Sequence, residues 1–306
     1  MATKPKNSIK ENPVLNRPQE TTAVTVVGGT IPAYLVDELK NDAGKGVSTS
    51  KSDNVIPLIY VMTSNSPQVD ENNPAHVAGA RPGSIWLRNH SVPMVPGDQG
   101  ILVQPCAFNK DWVEWVPRLQ GGGFVGRHEN KIATAEDVRR LGEKVIEGED
   151  VPDCLDAKFT VDPTNRQKVW KRPNGNDVIL TRNHAVRVIF GENQALPYII
   201  PLKGTGHGVS KEWMGKMMVK RTARGDLLPS FACLYRLTTR QRKNAKGTWY
   251  QFQVADAGYA SVEDYHAGRD LHRAVESGEK VAEDEVGAGE GDAGGGEGGA
   301  SGDLPY

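Results

Sequence analysis

The sequence predicts a mainly β fold with a few helices, an antiparallel barrel or sandwich with disordered ends. From Val55 onward the runs VIPLIYVM, SIWL, GILVQP, WVEWVP, VILT, AVRVIF and PYIIPL are rich in valine, isoleucine and aromatics, and most are separated by glycine, proline, asparagine or aspartate. These runs do not alternate with helices in the manner of parallel α/β folds. In Ser230–Val254 the pattern has a strict period of two. Phe231, Cys233, Tyr235 and Leu237 alternate on one strand and Tyr250, Phe252 and Val254 on the next, so both sets belong on one buried face.

Taken in order, residues 1–20 are polar with three prolines and read as a disordered arm. Ala23–Val27 is a short β-prone run closed by Gly28-Gly29, and Ile31–Lys40 has the spacing of a brief helix. Asn41–Asn54 has a surface-loop composition. Within the strand region, Val178–Thr181 and Ala185–Phe190 are expected to be joined by a turn at Arg182-Asn183-His184 and followed by Pro197–Leu202, giving a three-stranded meander. A helix starting at Thr134, with Asp137 completing a capping box, carries Val138, Leu141 and Val145 inward. A second helix starts near Ser210, with Trp213, Met214, Met217 and Met218 apolar and Lys216, Lys220 and Arg224 forming a basic stripe. A third runs from Ser261 to about Lys280.

Residues 276–306 contain nine acids, one base and ten glycines, a composition that cannot build a core. This tail therefore accounts for −8 of the −1 carried by the whole chain, which leaves +7 on residues 1–275. A basic body attracts polyanions, and a tethered acidic segment competes for the same surface. Three scattered cysteines with no C-x-x-C pair argue against a disulfide framework and a zinc site and point to a reducing cytoplasm. No apolar stretch approaches membrane-spanning length, so no membrane partner is expected.

The candidate interface follows from the pleat. The face opposite the buried one receives Arg236, Thr238 and Arg240 from the first strand of Ser230–Val254 and Trp249, Gln251 and Gln253 from the second. The connecting turn adds Arg242, Lys243 and Lys246. A ring stacks on any nucleobase while guanidinium and ammonium groups hold phosphates, so this face has the residue types of a single-strand platform. Charged hairpin tips are also commonly no more than solvated. Trp112 and Trp115, three apart on a strand, point to opposite faces, one core and one exposed. Phe124 and Arg127 follow Gly121–Gly123, which is either a hinge over bound nucleic acid or a plain loop.

Enzyme signatures are absent. Gly121–Gly126 lacks the Lys-Ser/Thr of a phosphate loop. Gly204-Thr205-Gly206-His207-Gly208, between a strand and a helix, suits one backbone phosphate or a simple turn. The seven histidines show no metal-type spacing, and the body's acids are not clustered as a two-metal nuclease requires. No catalytic residue, metal or cofactor is expected.

The chain stops on Asp303-Leu304-Pro305-Tyr306, and this tip on an acidic, glycine-rich leash resembles the C-terminal tails of bacterial and phage single-stranded DNA-binding proteins. Those tails recruit replication partners, which is what the resemblance implies for Asp303, Leu304, Pro305 and Tyr306. The body resembles uncharacterised tailed-phage proteins in its G-x-S-T-S loop at Gly46–Ser50, Ile56-Pro57-Leu58-Ile59-Tyr60, Ser66-Pro67-Gln68, Ile85-Trp86-Leu87-Arg88 and the Trp112–His128 block, over roughly residues 44–130. The expectation is a phage single-stranded DNA-binding protein of replication or recombination. It would have an oligonucleotide-binding (OB)-like body over 21–275, a disordered acidic tail over 276–306, a host-cytoplasmic location and room for homo-oligomer formation. The alternative is a phage structural or assembly protein whose tail contacts other proteins.

Overall fold

A computed structural model of the chain describes residues 55–278, except 118–119, 142–144, 155–157, 162–167, 192–193 and 246, together with 281–282. The expected arm, the elements before Asn54 and the acidic residues from Glu283 on lie outside the described residues.

The strands are β1 Val55–Ile56, β2 Ile59–Val61, β3 Ile85–Leu87, β4 Met94–Val95, β5 Ile101–Trp115 and β6 Phe124–Ile132. Helix α1, Ala135–Leu141, precedes β7 Asp150–Pro152, β8 Lys158–Val161, β9 Lys168–Lys171, β10 Asp177–Gly191 and β11 Gln194–Lys203. Helix α2, Gly206–Met218, leads to β12 Cys233–Asn244 and β13 Gly247–Tyr259, and helix α3, Val262–Glu276, leads to β14 Val281–Ala282. The fold is mostly β, as the sequence predicts. Every pairing but β1–β14 and one isolated bridge is antiparallel.

β5 and β10, 15 residues each, form the spine. They pair from Asp177 opposite Trp115 to Ile189 opposite Leu102. Because both are long, each serves different partners at its two ends. β5 takes β12 along Ile101–Val103 and β6 along Asp111–Trp115, while β10 takes β11 along Thr181–Gly191 and β9 at Asp177–Val178. The nine-stranded sheet runs β13-β12-β5-β10-β9-β8, with β11 on β10, β6 on β5 and β7 on β6 off this path, and among the described residues it does not close into a barrel. The expected barrel is thus replaced by an open sheet that holds separate cores. One core gathers Ile59, Leu87, Val103, Val186, Trp213 and Tyr235. A second gathers Trp112, Val145, Val151, Trp170 and Val178, and a third gathers Ile56, Leu58, Cys106, Ile199, Phe231 and Leu271.

The expected meander is corrected to a hairpin. Arg182-Asn183-His184 make no turn, since β10 runs through them with Arg182 opposite Leu202 and His184 opposite Ile200. Their polarity mimics a turn, but Asn183 and His184 are buried and have internal partners. Asn183 donates Nδ2 to Asp111 Oδ1 at 2.7 Å, and His184 Nε2 lies 2.7 Å from Ser210 Oγ.

The helices follow their sequence signals. Thr134 caps α1 reciprocally: its amide donates to Asp137 Oδ2 at 3.0 Å and the Asp137 amide donates to Thr134 Oγ1 at 3.3 Å. Val138 packs against the second core, and Val145 is buried there beyond the helix end. α2 begins at Gly206, earlier than the expected Ser210, and buries Val209, Ser210 and Trp213 while leaving Met218 exposed. Ser261 caps α3 by accepting from the Asp264 amide. After α3, Val281–Ala282 run parallel to Val55–Ile56, so two residues inside the acidic segment belong to a strand.

The loop between β3's approach and β5 is pressed onto one face of the β12–β13 hairpin. Thr239 donates its amide to the Gly97 carbonyl at 2.8 Å and its hydroxyl to the Gly83 carbonyl at 2.5 Å. A Cβ at Gly97 would meet Thr239 and that carbonyl, and one at Gly100, whose φ is +66°, would meet the Leu237 carbonyl. The hairpin therefore has a covered face and a free one.

Candidate nucleic-acid interface

The hairpin register settles which side chains share the free face. Arg242 lies opposite Trp249, Arg240 opposite Gln251 and Thr238 opposite Gln253, and directly opposed residues project to the same side of the sheet. On the other side Cys233, Tyr235, Leu237, Phe252 and Val254 are buried, as the period-two pattern predicts, whereas Phe231 belongs to a short 3₁₀ turn, Ser230–Ala232, ahead of the strand.

Five of the sequence-predicted residues converge. Arg240, Arg242, Lys243, Trp249 and Gln251 line an open groove of about 560 Å³, closed on its other side by Thr205, Gly208, Val209 and Glu212 from the start of α2. Trp249 is half-buried, and its Nε1, like Nε of Arg240, has no hydrogen-bond partner among the described residues. The α2 N-terminus has neither a side-chain cap at Thr205 nor an acid in its first turn, which leaves its positive dipole end facing the groove region uncompensated. Around Gly208 there is open space for a close backbone approach. Three cations thus face one carboxylate, Glu212, which stands 4.0 Å from Lys216 Nζ. Groove, ring and charge together can hold a flat aromatic group bearing an anion.

The remaining candidates lie elsewhere. Arg236 is exposed on the same strand but donates to the Gln99 carbonyl at 3.2 Å and does not line the groove. The expected basic stripe does not form, because α2 ends at Met218. Lys216 alone is helical, Lys220 pairs with Asp256 at 2.9 Å, and Arg224 sits exposed in the turn that closes on Thr222. Trp112 is a core residue, donating Nε1 to Asn130 Oδ1 at 2.9 Å and meeting Trp170 edge-on, so, contrary to the expected stacking role, its ring offers no open face to a base. Trp115 is the half-buried member of the pair. It packs edge-on against Phe124 and has Lys203 Nζ 4.1 Å from its ring centroid. Arg127 is held by Asp111 at 2.9 Å. The hinge reading of Gly121–Gly123 gives way to a hydrogen-bonded hairpin turn, with the Val116 amide donating to the Gly123 carbonyl. Lys246, Asp303, Leu304, Pro305 and Tyr306 lie outside the described residues.

The contribution of α2 was visible in the sequence only as a glycine-rich approach to a helix. Nothing in the linear pattern ties Thr205, Val209 or Glu212 to a hairpin some forty residues away.

A histidine–serine contact also lies near α2, but it is sealed. Ser210 is fully buried, receives Arg182 Nε at 2.7 Å as well as the His184 contact, and Nδ1 of His184 faces no carboxylate. A nucleophile needs access and an oriented base, so this pair is structural. Burial, with the neighbouring Arg182 charge, lowers the His184 pKa to about 3. The depressed value means that the folded state resists a proton the unfolded chain accepts, so stability is full above the ordinary histidine pKa and falls as pH drops toward about 3. Urea midpoints measured between pH 7 and pH 4 are expected to show this loss, and His184→Gln is expected to flatten it.

Residues 25–281 match the family model described as Pam3 phage gp34-like protein. The chain belongs to that family. No curated protein matches it, and no solved structure does. The description names a phage source and no activity, in keeping with the tailed-phage resemblance of the body. Every groove residue falls inside the Pam3 gp34-like span, and the Asp303–Tyr306 tip falls outside it. Among the described residues of this Pam3 gp34-like chain, no helix is long and apolar enough to cross a membrane.

Proposed function

We propose that this phage protein is a non-catalytic single-stranded DNA-binding protein of DNA replication or recombination. In this reading Arg240, Arg242 and Lys243 neutralise phosphates, Trp249 stacks on a base and Gln251 lends a hydrogen bond. The observation that supports it is the groove. Residues drawn from the two strands of one hairpin and from a helix N-terminus surround one opening that combines an aromatic ring and three cations. Its volume of about 560 Å³ suits a flat ligand the size of a nucleotide. The acidic tail competes for the groove until DNA displaces it, which frees Asp303, Leu304, Pro305 and Tyr306 to recruit a replication or recombination partner.

Fluorescence anisotropy with labelled oligo-dT and a matched duplex, at two salt concentrations, tests the reading. Single-strand preference and steep salt weakening are expected, with tighter binding after removal of the tail. The truncation belongs after Ala282, because a cut at Val275 would remove the end of α3 and the β14 pairing with β1. Salt-insensitive binding or equal affinity for duplex would defeat the proposal, and no binding at all would favour a structural or assembly protein. Three phosphate contacts imply a log–log salt slope of about −2, and Arg242→Ala is expected to make it shallower by about 0.7.

A further inference from the structure

At the end of the sheet served by β6 and β7, His128, Asp153 and Cys154 converge, their ligand atoms all within 4.8 Å of one another. The two strands produce this meeting. Asn130 pairs with Pro152 across β6 and β7, and the Asp153 amide donates to the Glu129 carbonyl at 3.0 Å. His128 and the two residues that follow β7 are thereby held side by side. Sequence spacing could not show this, since the cluster joins positions 25 residues apart without a C-x-x-C or H-x-x-H pair.

The protonation pattern at His128 is set from behind. Nε2 lies 2.7 Å from Glu114 Oε2, so a ring N–H there donates to the carboxylate and the lone pair stands on Nδ1. Glu114 is itself buried and fixed, accepting from Asn176 Nδ2 at 2.6 Å with Arg172 Nε at 3.7 Å. Nδ1 then faces Asp153 Oδ1 at 3.9 Å. That separation is too long for a hydrogen bond. It lies close to the separation of about 3.3–3.6 Å between two ligands on one tetrahedral zinc.

We propose that His128 Nδ1, Asp153 and Cys154 Sγ bind a zinc-class divalent cation, with Glu114 orienting the imidazole and a fourth position open to water. Nitrogen, oxygen and sulfur ligands together favour zinc over magnesium or calcium, which select oxygen alone. The charges suit it as well. Glu114 and Asp153 face the Arg172 guanidinium, leaving a surplus of one negative charge before the ion binds. Binding displaces the Cys154 thiol proton to solvent. The bound ion clips the end of β7 to β6 beside the second core, against which Cys154 packs.

The test uses the full chain, stripped with a chelator and titrated with Zn²⁺ against a chromophoric competitor and, separately, with Co²⁺. One equivalent is expected to bind, with thiolate-to-cobalt charge-transfer absorption and a zinc-dependent rise in melting temperature. Cys154→Ser is expected to abolish the charge-transfer band, while Cys106→Ser and Cys233→Ser retain it. Glu114→Gln is expected to weaken zinc binding by about 10- to 100-fold with an unchanged circular dichroism spectrum. The proposal is overturned if no equivalent binds, if the band survives Cys154→Ser, or if His128→Ala binds zinc as the parent does. The last two outcomes mark adventitious thiol or histidine binding elsewhere. Zinc binding and DNA binding use separate residues, so either can fail without the other.

Discussion

Trp213→Ala is expected to destabilise the protein by about 3–5 kcal/mol, the range for deleting a large aromatic from a packed core. Trp213 is 1% exposed. Its ring stacks on His184 with centroids 4.6 Å apart and meets Tyr235 edge-on at 5.9 Å. It is the side chain by which α2 is seated on the sheet, between the β10 spine and the β12 hairpin, and neighbours fixed by strand pairing cannot collapse into the space it leaves. Trp213→Phe isolates the contribution of ring volume. The indole Nε1 has no hydrogen-bond partner among the described residues, so its removal forfeits no bond and the phenylalanine variant is expected to lose much less. Urea unfolding followed by circular dichroism measures both. Equal stability of Trp213→Ala and the parent would show that α2 is held by something other than this contact.

Trp249→Ala carries the second large effect, on binding instead of folding. Loss of one stacking platform costs about 1–3 kcal/mol per base, or roughly 5- to 150-fold in affinity for oligo-dT. Trp249→Phe is expected to recover most of it, because any ring offers a π-face. Trp249 is half-buried and has no ring partner among the described residues, so its truncation is expected to cost less in stability than in binding. The pattern across variants separates the mechanisms. If Arg242→Ala weakens binding and Trp249→Ala does not, the groove holds phosphates without stacking. If neither has an effect, DNA binding lies elsewhere on the chain.

Much of the hairpin could be read from the sequence, because strand geometry enforces a period of two and a buried face. Once Tyr235, Leu237, Phe252 and Val254 were assigned inward, Arg240, Trp249 and Gln251 had to share the other side; Arg242, expected in the turn, joins them because β12 runs on to Asn244. The capping box at Thr134 and Asp137 was legible for a similar local reason. Long-range pairing was not. β10 looked interrupted at Arg182-Asn183-His184 because polar residues usually mark turns, yet here Asp111 and Ser210 satisfy them in the interior. The basic stripe of Lys216, Lys220 and Arg224 assumed a helix that continued past Met218, and no sequence signal marked its end at Val219. The three-residue offset of Trp112 and Trp115 foretold opposite faces but not which face was the core. The meeting of His128 with Asp153 and Cys154 depends on the β6–β7 register, which linear spacing does not encode.

The glycines under the hairpin have one more consequence. Gly83, Gly97 and Gly100 bring the preceding loop so close to Tyr250, Thr239 and Leu237 that one side of the hairpin is committed to the fold. The opposite side bears almost none of that packing duty. A scaffold divided in this way can exchange the residues that touch a ligand while leaving its own architecture alone. Ligand preference and foldability are in effect written on alternate residues of the same two strands, and selection can act on one without disturbing the other.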